Sequence, residues 1–334
     1  MTGRVTAVIA MRPDVAAAAL PARLRARLDS VADVDHDLVV TDFADPGARA
    51  ALACADVLLT GWGCPLLDGP TLDAAPHLRA VIHAAGSLKH HLGADFWTRG
   101  LVASSAADAN AYPVAQFTVS ALLLAGKRTF RVANAYARGD FRDLSTSQAF
   151  GNADRTVGVI GASRIGRLVL GMLAGHGFHL LLADPTLTPA EAAGLGAELV
   201  GLDDLFSGSD MVSVHAPSLP ETRHLIDDRC LGLLRDGAIL VNTARGSLVD
   251  TEALTRHCAS GRIDAVLDVT DPEPLPTGHP LFSLPNVLVT PHLAGAMGTE
   301  VSRLGEFAVA EVERLARGLP LVGAVSAEDL ARIA

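Results

Sequence analysis

No apolar run in this 334-residue chain approaches the ~18 residues that a membrane-spanning helix requires. The stretch Val5–Met11 is apolar but short, and Arg12, Pro13 and Asp14 interrupt it, so it reads as a strand and not as a signal peptide. An excess of positive charge is also missing. The net charge is −10, and a phosphate-backbone partner needs a basic surface, so nucleic acid is excluded. The four cysteines, Cys54, Cys64, Cys230 and Cys258, form no CxxC and no metal-like spacing. They read as isolated thiols in a reducing compartment, and the cytoplasm is the expected location. The acidic pairs Asp203-Asp204 and Asp227-Asp228 have no His or Cys to complete a metal site and read as solvated helix ends. No internal repeat or low-complexity linker is visible.

What is present is a folded α/β pattern. Hydrophobic residues make up 49% and charged residues 19%, which excludes disorder, and the length suffices for two domains with separate cores. Short β-branched runs alternate with longer helical patterns, as in parallel sheets. The first series of strands is expected at Arg4–Ala10, Asp37–Thr41, Asp56–Thr60, Arg79–His83 and Leu101–Ser104. A helix is expected over Pro113–Ala125, with Pro113 in its first turn. After a polar stretch, Arg138–Asp154, a second series is expected at Thr156–Ile160, Phe178–Ala183, Asp210–Val214, Gly237–Val241, Ile263–Leu267 and Asn286–Thr290.

The clearest unit is Thr156–Gly175. Past Ser163, the residues Ile165, Leu168, Val169, Met172 and Leu173 fall at helical spacing, and Gly175 and Gly177 stop the run. Between strand and helix lies Gly161-Ala162-Ser163-Arg164-Ile165-Gly166. A dinucleotide fingerprint, G-x-G-x-x-G, needs its glycines for a tight turn, for close approach of the pyrophosphate and for contact of helix with strand. Gly161 and Gly166 satisfy the first and third, while Ser163 stands in the middle place. The helix N-terminus offers free N–H groups and a positive dipole end to a phosphate. Asp184 follows 23 residues after Gly161, close to the ~20 at which an acid receives the ribose hydroxyls. Pro185-Thr186-Leu187-Thr188 supply no arginine for a 2′-phosphate, so the expected cofactor is NAD.

Four later segments carry the chemistry: Val214-His215-Ala216-Pro217, Val241-Asn242-Thr243-Ala244-Arg245-Gly246, Leu267-Asp268 through Pro272-Glu273-Pro274, and Pro291-His292-Leu293-Ala294-Gly295. Arg245 puts a cation after a parallel strand, where it can grip a carboxylate with two N–H bonds. His292 follows a strand, just after Pro291, but with 12 histidines in the chain nothing local singles it out. Glu273, 19 residues earlier, would orient that ring and favour its charged form. In order and spacing these motifs resemble the D-2-hydroxyacid dehydrogenase family, near its glyoxylate/hydroxypyruvate reductase and phosphoglycerate dehydrogenase branches. The resemblance is strongest from Thr156 to Gly295 and weaker in the first 100 residues.

The resemblance implies two Rossmann-like, doubly wound parallel-sheet domains. The NAD-binding domain, residues 105–292, would be inserted between substrate-domain segments 1–104 and 293–334, with the substrate between them. It implies that Arg245, Glu273 and His292 are catalytic, that NADH delivers hydride to a small 2-keto acid, and that the product is the D-hydroxy acid. By the same resemblance Thr222, Thr243, Ala244 and Asp268 join Gly161, Ser163, Arg164, Ile165, Gly166, Asp184, His215, Pro217, Arg245 and His292 around the cofactor. Gly86, Ser87, Leu88 and Lys89 would meet the substrate, although this loop departs from the family pattern at Leu88 and His90. Asn110 and Gln116 stand where the family has Asn and an acid, and a homodimer built around Asn110–Asp154 is implied. No metal is expected. The alternatives are a non-catalytic, NAD-sensing partner-binder on the same fold, and formate-type oxidation, whose enzymes carry Gln where Glu273 stands.

Overall fold

The computed structural model describes residues 4–140 and 151–332. The chain divides into two compact units, Met1–Ala111 with Ala296–Ile333, and Tyr112–Gly295. The first contains strands β1 Val5–Ala10, β2 Ala32–Val40, β3 Val57–Thr60, β4 Ala80–His83 and β5 Val102–Ser105. The second contains β6 Thr156–Ile160, β7 His179–Ala183, β8 Glu198–Leu199, β9 Met211–Val214, β10 Ala238–Asn242, β11 Ile263–Leu267 and β12 Val287–Val289. The chain then returns to the first unit with β13 Ala324–Val325.

The first sheet runs β2-β1-β3-β4-β5-β13, parallel except for β13 against β5. The second runs β8-β7-β6-β9-β10-β11-β12 with every pair parallel. Its order reverses between β6 and β9, the switch point outside which ligands bind in open α/β sheets. Both are doubly wound. Alternate residues of the second sheet feed two cores: Val157, Val159, Ile239 and Val241 face one, and Ile160, Val212, Leu240 and Leu267 face the other. The helix Arg164–Leu173 seals the first of these with Val169, Leu170 and Leu173, the face its spacing predicted.

Four elements differ from expectation. β2 begins at Ala32, not Asp37, because its register against β1 jumps from Ala7↔Val34 to Ile9↔Val39. Extra residues bulge out there and break the alternation that a strand reading relies on. The helix expected from Pro113 spans Ala107–Gly126, so Pro113 lies inside it and not in the first turn. That position removes one intrahelical donor, but the buried side chains of Ala111, Val114, Ala115 and Leu122 give the segment a packed face on both sides of the proline. Finally, the two-residue strands β8 and β13 are too short to show a period. Of the polar stretch Arg138–Asp154, residues 141–150 lie outside the described residues.

Candidate active site

The nucleotide loop is built by close approach. Gly161 has φ +91°, a left-handed conformation suited to glycine, and its N–H donates to Ala183 O at 2.9 Å. A Cβ on Gly161 would lie 2.8 Å from the Ala216 N, and one on Gly166 would lie 2.1 Å from the Gly161 O. Any side chain at either position would push the helix off the sheet. Ser163, in the middle glycine's place, is the helix N-cap: its Oγ accepts from the Gly166 N–H at 3.3 Å. Arg164 is exposed beside it, and Ile165 packs against the core.

Asp184 lies just past β7. Its Oδ2 accepts from the Ala162 N–H at 2.7 Å, and its Oδ1 from the Thr186 N–H at 2.8 Å and the Thr186 hydroxyl at 2.6 Å. Burial opposes its charge, but these bonds and the Arg167 charge prevail and hold the carboxyl below its usual range. Asp184 is therefore an anion at neutral pH. His215, following β9, is 3% exposed, and burial pulls its imidazole down to about 3, so the ring is neutral. Its Nε2 lies 2.8 Å from Ser213 Oγ, while Nδ1 is buried without a partner. A tight glycine turn, a capped helix start, a carboxylate past the next strand and this orphaned ring nitrogen fit a dinucleotide.

Other expected cofactor residues have tasks within the protein. Thr222 Oγ1 donates to Pro217 O (2.7 Å) and accepts from the Leu219 N–H (2.8 Å), closing the turn that carries Pro217. Thr243 Oγ1 meets Thr118 Oγ1 at 2.7 Å, tying the end of β10 to the helix Ala107–Gly126. Asn242, which motif reading passed over, brackets the arginine loop: Oδ1 accepts from the Ala244 N–H, and Nδ2 donates to Arg245 O.

Arg245, Glu273 and His292 come together. The Arg245 guanidinium donates to Ala244 O at 2.7 Å, and among the described residues no carboxylate lies within ion-pair distance of it. Burial lowers its pKa and the Glu273 charge opposes that shift. A desolvated guanidinium without a counter-ion is costly, and an incoming anion relieves the cost. Glu273 Oε1 lies 2.6 Å from His292 Nδ1, with the two side chains 42% and 49% exposed. The Nε2 end of His292 has no partner among the described residues.

His292 has φ +54°, a left-handed conformation that costs a residue with a Cβ roughly 1–3 kcal/mol. Asp268, 1% exposed, supports it. Its Oδ1 accepts from Thr290 Oγ1 (2.6 Å) and the Leu293 N–H (2.8 Å), its Oδ2 from the Ala294 N–H (2.9 Å), and its backbone O from the His292 N–H (2.9 Å). This strap around the histidine turn was not legible from the motif.

The substrate-loop residues lie in the first unit, past β4. The Leu88 side chain is 1% exposed and belongs to the core with Leu67, Leu92 and Phe96, the ordinary place for a large apolar side chain, so only its backbone is open to a substrate. Lys89 is exposed, its N–H donating to Ser87 Oγ at 3.4 Å. A Cβ on Gly86 would lie 3.2 Å from Asn110 Nδ2, and Asn110 Oδ1 accepts from the Ala296 N–H at 3.0 Å. Beneath the loop, His83 and His91 have ring centroids 4.9 Å apart, a pair that no motif announced. Among the described residues no cluster of His, Cys, Asp or Glu could hold a metal, and no helix is long and apolar enough to cross a membrane.

A parallel sheet with a glycine turn at its switch point and an acid–base pair with a lone arginine beyond its other strands define a dinucleotide-binding α/β protein. The profile of the D-isomer specific 2-hydroxyacid dehydrogenase NAD binding domain matches residues 119–294. The chain belongs to the D-isomer specific 2-hydroxyacid dehydrogenase family. It is similar to the D-3-phosphoglycerate dehydrogenase of Mycobacterium leprae, with 41% identity over 80% of this chain and 50% of that protein. It is also similar to the glyoxylate reductase of Korarchaeum cryptofilum, with 32% identity over 75% of this chain and 77% of that protein. A crystal structure of a Thermus thermophilus protein, 29% identical, superposes with a TM-score of 0.77 over 96% of this chain and all of that one. The chain spans about half the length of the phosphoglycerate dehydrogenases it matches.

Proposed function

We propose that this protein is an NAD-dependent oxidoreductase that interconverts a small 2-keto acid and the D-2-hydroxy acid. The observation that carries this reading is Glu273, which bonds His292 while its charge acts on the unpaired Arg245. Gly161, Ser163, Arg164, Gly166 and Asp184 would hold the dinucleotide, with His215, Pro217 and the Asp268-strapped turn near its reactive end. When bound, NAD(H) supplies or accepts the two electrons. Arg245 holds the substrate carboxylate through its fork of donors, which also orients the adjacent carbonyl. His292 donates a proton from Nε2 to the carbonyl oxygen in reduction and removes it in oxidation. Glu273 keeps Nδ1 protonated, so that Nε2 is the end that exchanges the proton, and balances the charge of the imidazolium.

Residues 105–292 would form the cofactor domain and segments 1–104 and 293–334 the substrate domain. A glyoxylate- or hydroxypyruvate-like substrate follows the sequence resemblance, and the name of the Korarchaeum relative, glyoxylate reductase, fits the first of these. A homodimer is supported by the helix Thr129–Ala137, which buries none of its residues, and by Tyr136 and Leu124, 63% and 46% exposed. Four free cysteines fit a cytoplasmic protein. The test is NADH oxidation with glyoxylate, hydroxypyruvate, pyruvate and bulkier 2-keto acids. Turnover with at least one is expected. NADH binding with no turnover on any would favour the non-catalytic partner-binder.

A further inference from the structure

Arg167 and Asp184 both bond the backbone of Ala162, one at its C=O and the other at its N–H. Arg167 Nε donates to Ala162 O at 2.9 Å, and the N–H of the same Ala162 donates to Asp184 Oδ2 at 2.7 Å. Arg167 is exposed on the first turn of the helix Arg164–Leu173. Its charge acts on both Asp184 and Glu191, yet among the described residues no carboxylate pairs with it, and its two Nη groups have no protein partner. Reading only the residues that follow Asp184 misses this cation, because it comes from the preceding helix.

Asp184 itself is largely consumed. A carboxylate oxygen offers about two acceptor positions. Thr186 fills both on Oδ1, and Ala162 takes one on Oδ2. A ribose-side carboxylate selects NAD by accepting the 2′-hydroxyl and repelling a 2′-phosphate. Here little acceptor capacity is left for the hydroxyl, and a guanidinium fork beside the carboxylate offsets the repulsion. We propose that Arg167 lets the adenosine end of this site accept a 2′-phosphate, so that the protein binds NADP(H) as well as NAD(H). This rests on the nucleotide reading above.

The test is calorimetric titration of the full chain with ADP and with 2′,5′-ADP, for the wild type, Arg167→Ala and Arg167→Lys. The wild type should bind the two within about tenfold of each other. Arg167→Ala should weaken 2′,5′-ADP at least about tenfold and ADP by less than about threefold, and Arg167→Lys should recover part of the loss. The wild-type affinity for 2′,5′-ADP should also fall more steeply with salt than that for ADP. An Arg167→Ala protein with the wild-type ratio overturns the proposal, as does a wild type that binds only ADP. Binding of neither nucleotide overturns the nucleotide site itself, and this proposal with it.

Discussion

Two pairs built on a histidine lie at or just past the ends of parallel strands, one in each unit, and their surroundings are opposite. At the end of β4, His83 is fully buried, its Nδ1 is 2.9 Å from Thr60 Oγ1, its Nε2 has no partner, and the nearest ring belongs to His91. Burial, and secondarily the charge of His91, push His83 down to about 3. His91 is lowered too, by burial first, against a bond to Cys64 O. Past β12, His292 is half exposed and its neighbour is a carboxylate. Burial withdraws an imidazole from proton traffic, and a carboxylate partner keeps it available. Residue type therefore says little about which of the 12 histidines in this chain does acid–base work. The environment decides it.

Replacing His292 with Asn removes the exchangeable proton and keeps a polar side chain of similar reach. It should lower keto-acid reduction and hydroxy-acid oxidation by on the order of 10²–10⁴-fold, the range for losing a general acid–base, in steady-state assays of both directions. A comparable loss in His83→Asn would erase the contrast between the pairs. Next in size, Arg245→Ala should lower kcat/KM for the keto acid at least about tenfold, since charge-assisted bonds contribute about 1.5–3 kcal/mol each and tenfold is about 1.4 kcal/mol. NADH affinity, measured by fluorescence titration, should change little, and Arg245→Lys should recover only part of the loss.

The smallest effect belongs to the buried pair and appears in stability. The unfolded chain protonates a histidine near pH ~6.5, whereas folded His83 does so only at about 3. Between those values the unfolded state binds more protons, so stability falls as pH drops below about 6.5. His83→Asn preserves a polar group toward Thr60 and removes the titration. Its melting temperature should therefore decline less steeply from pH 6.5 to 4 than that of the wild type. His215, buried and equally depressed, retains its share of the slope. Parallel slopes would show that His83 is not held neutral by the fold.

The same contrast explains what was legible in the sequence. Apart from the two-residue β8, the second unit could be read strand by strand, with β6 and β11 as expected, because fully buried parallel strands are continuous apolar runs and the fingerprint has fixed spacing. Arg245, Glu273 and His292 were visible because their segments are short and ordered. Asp268 was not legible as the strap of the histidine turn, nor Arg167 as a neighbour of Asp184, because both roles depend on contacts between segments. Ser163 as a helix cap was hidden behind the glycine it replaces. In the first unit, the β2 bulge and the burial of Leu88 follow from packing that no local period encodes. Pro113 inside its helix shows tertiary packing overriding a local rule.

The central claim is that Glu273 and His292 act as one acid–base unit, and the pH dependence of kcat/KM in both directions tests it most directly. Glu273→Gln keeps the shape and an acceptor and removes the charge. The ring then loses the carboxylate that orients it and balances its charge, so kcat/KM should fall throughout the profile in both directions, by at least about tenfold. Profiles for Glu273→Gln that coincide with those of the wild type in both directions would contradict the account.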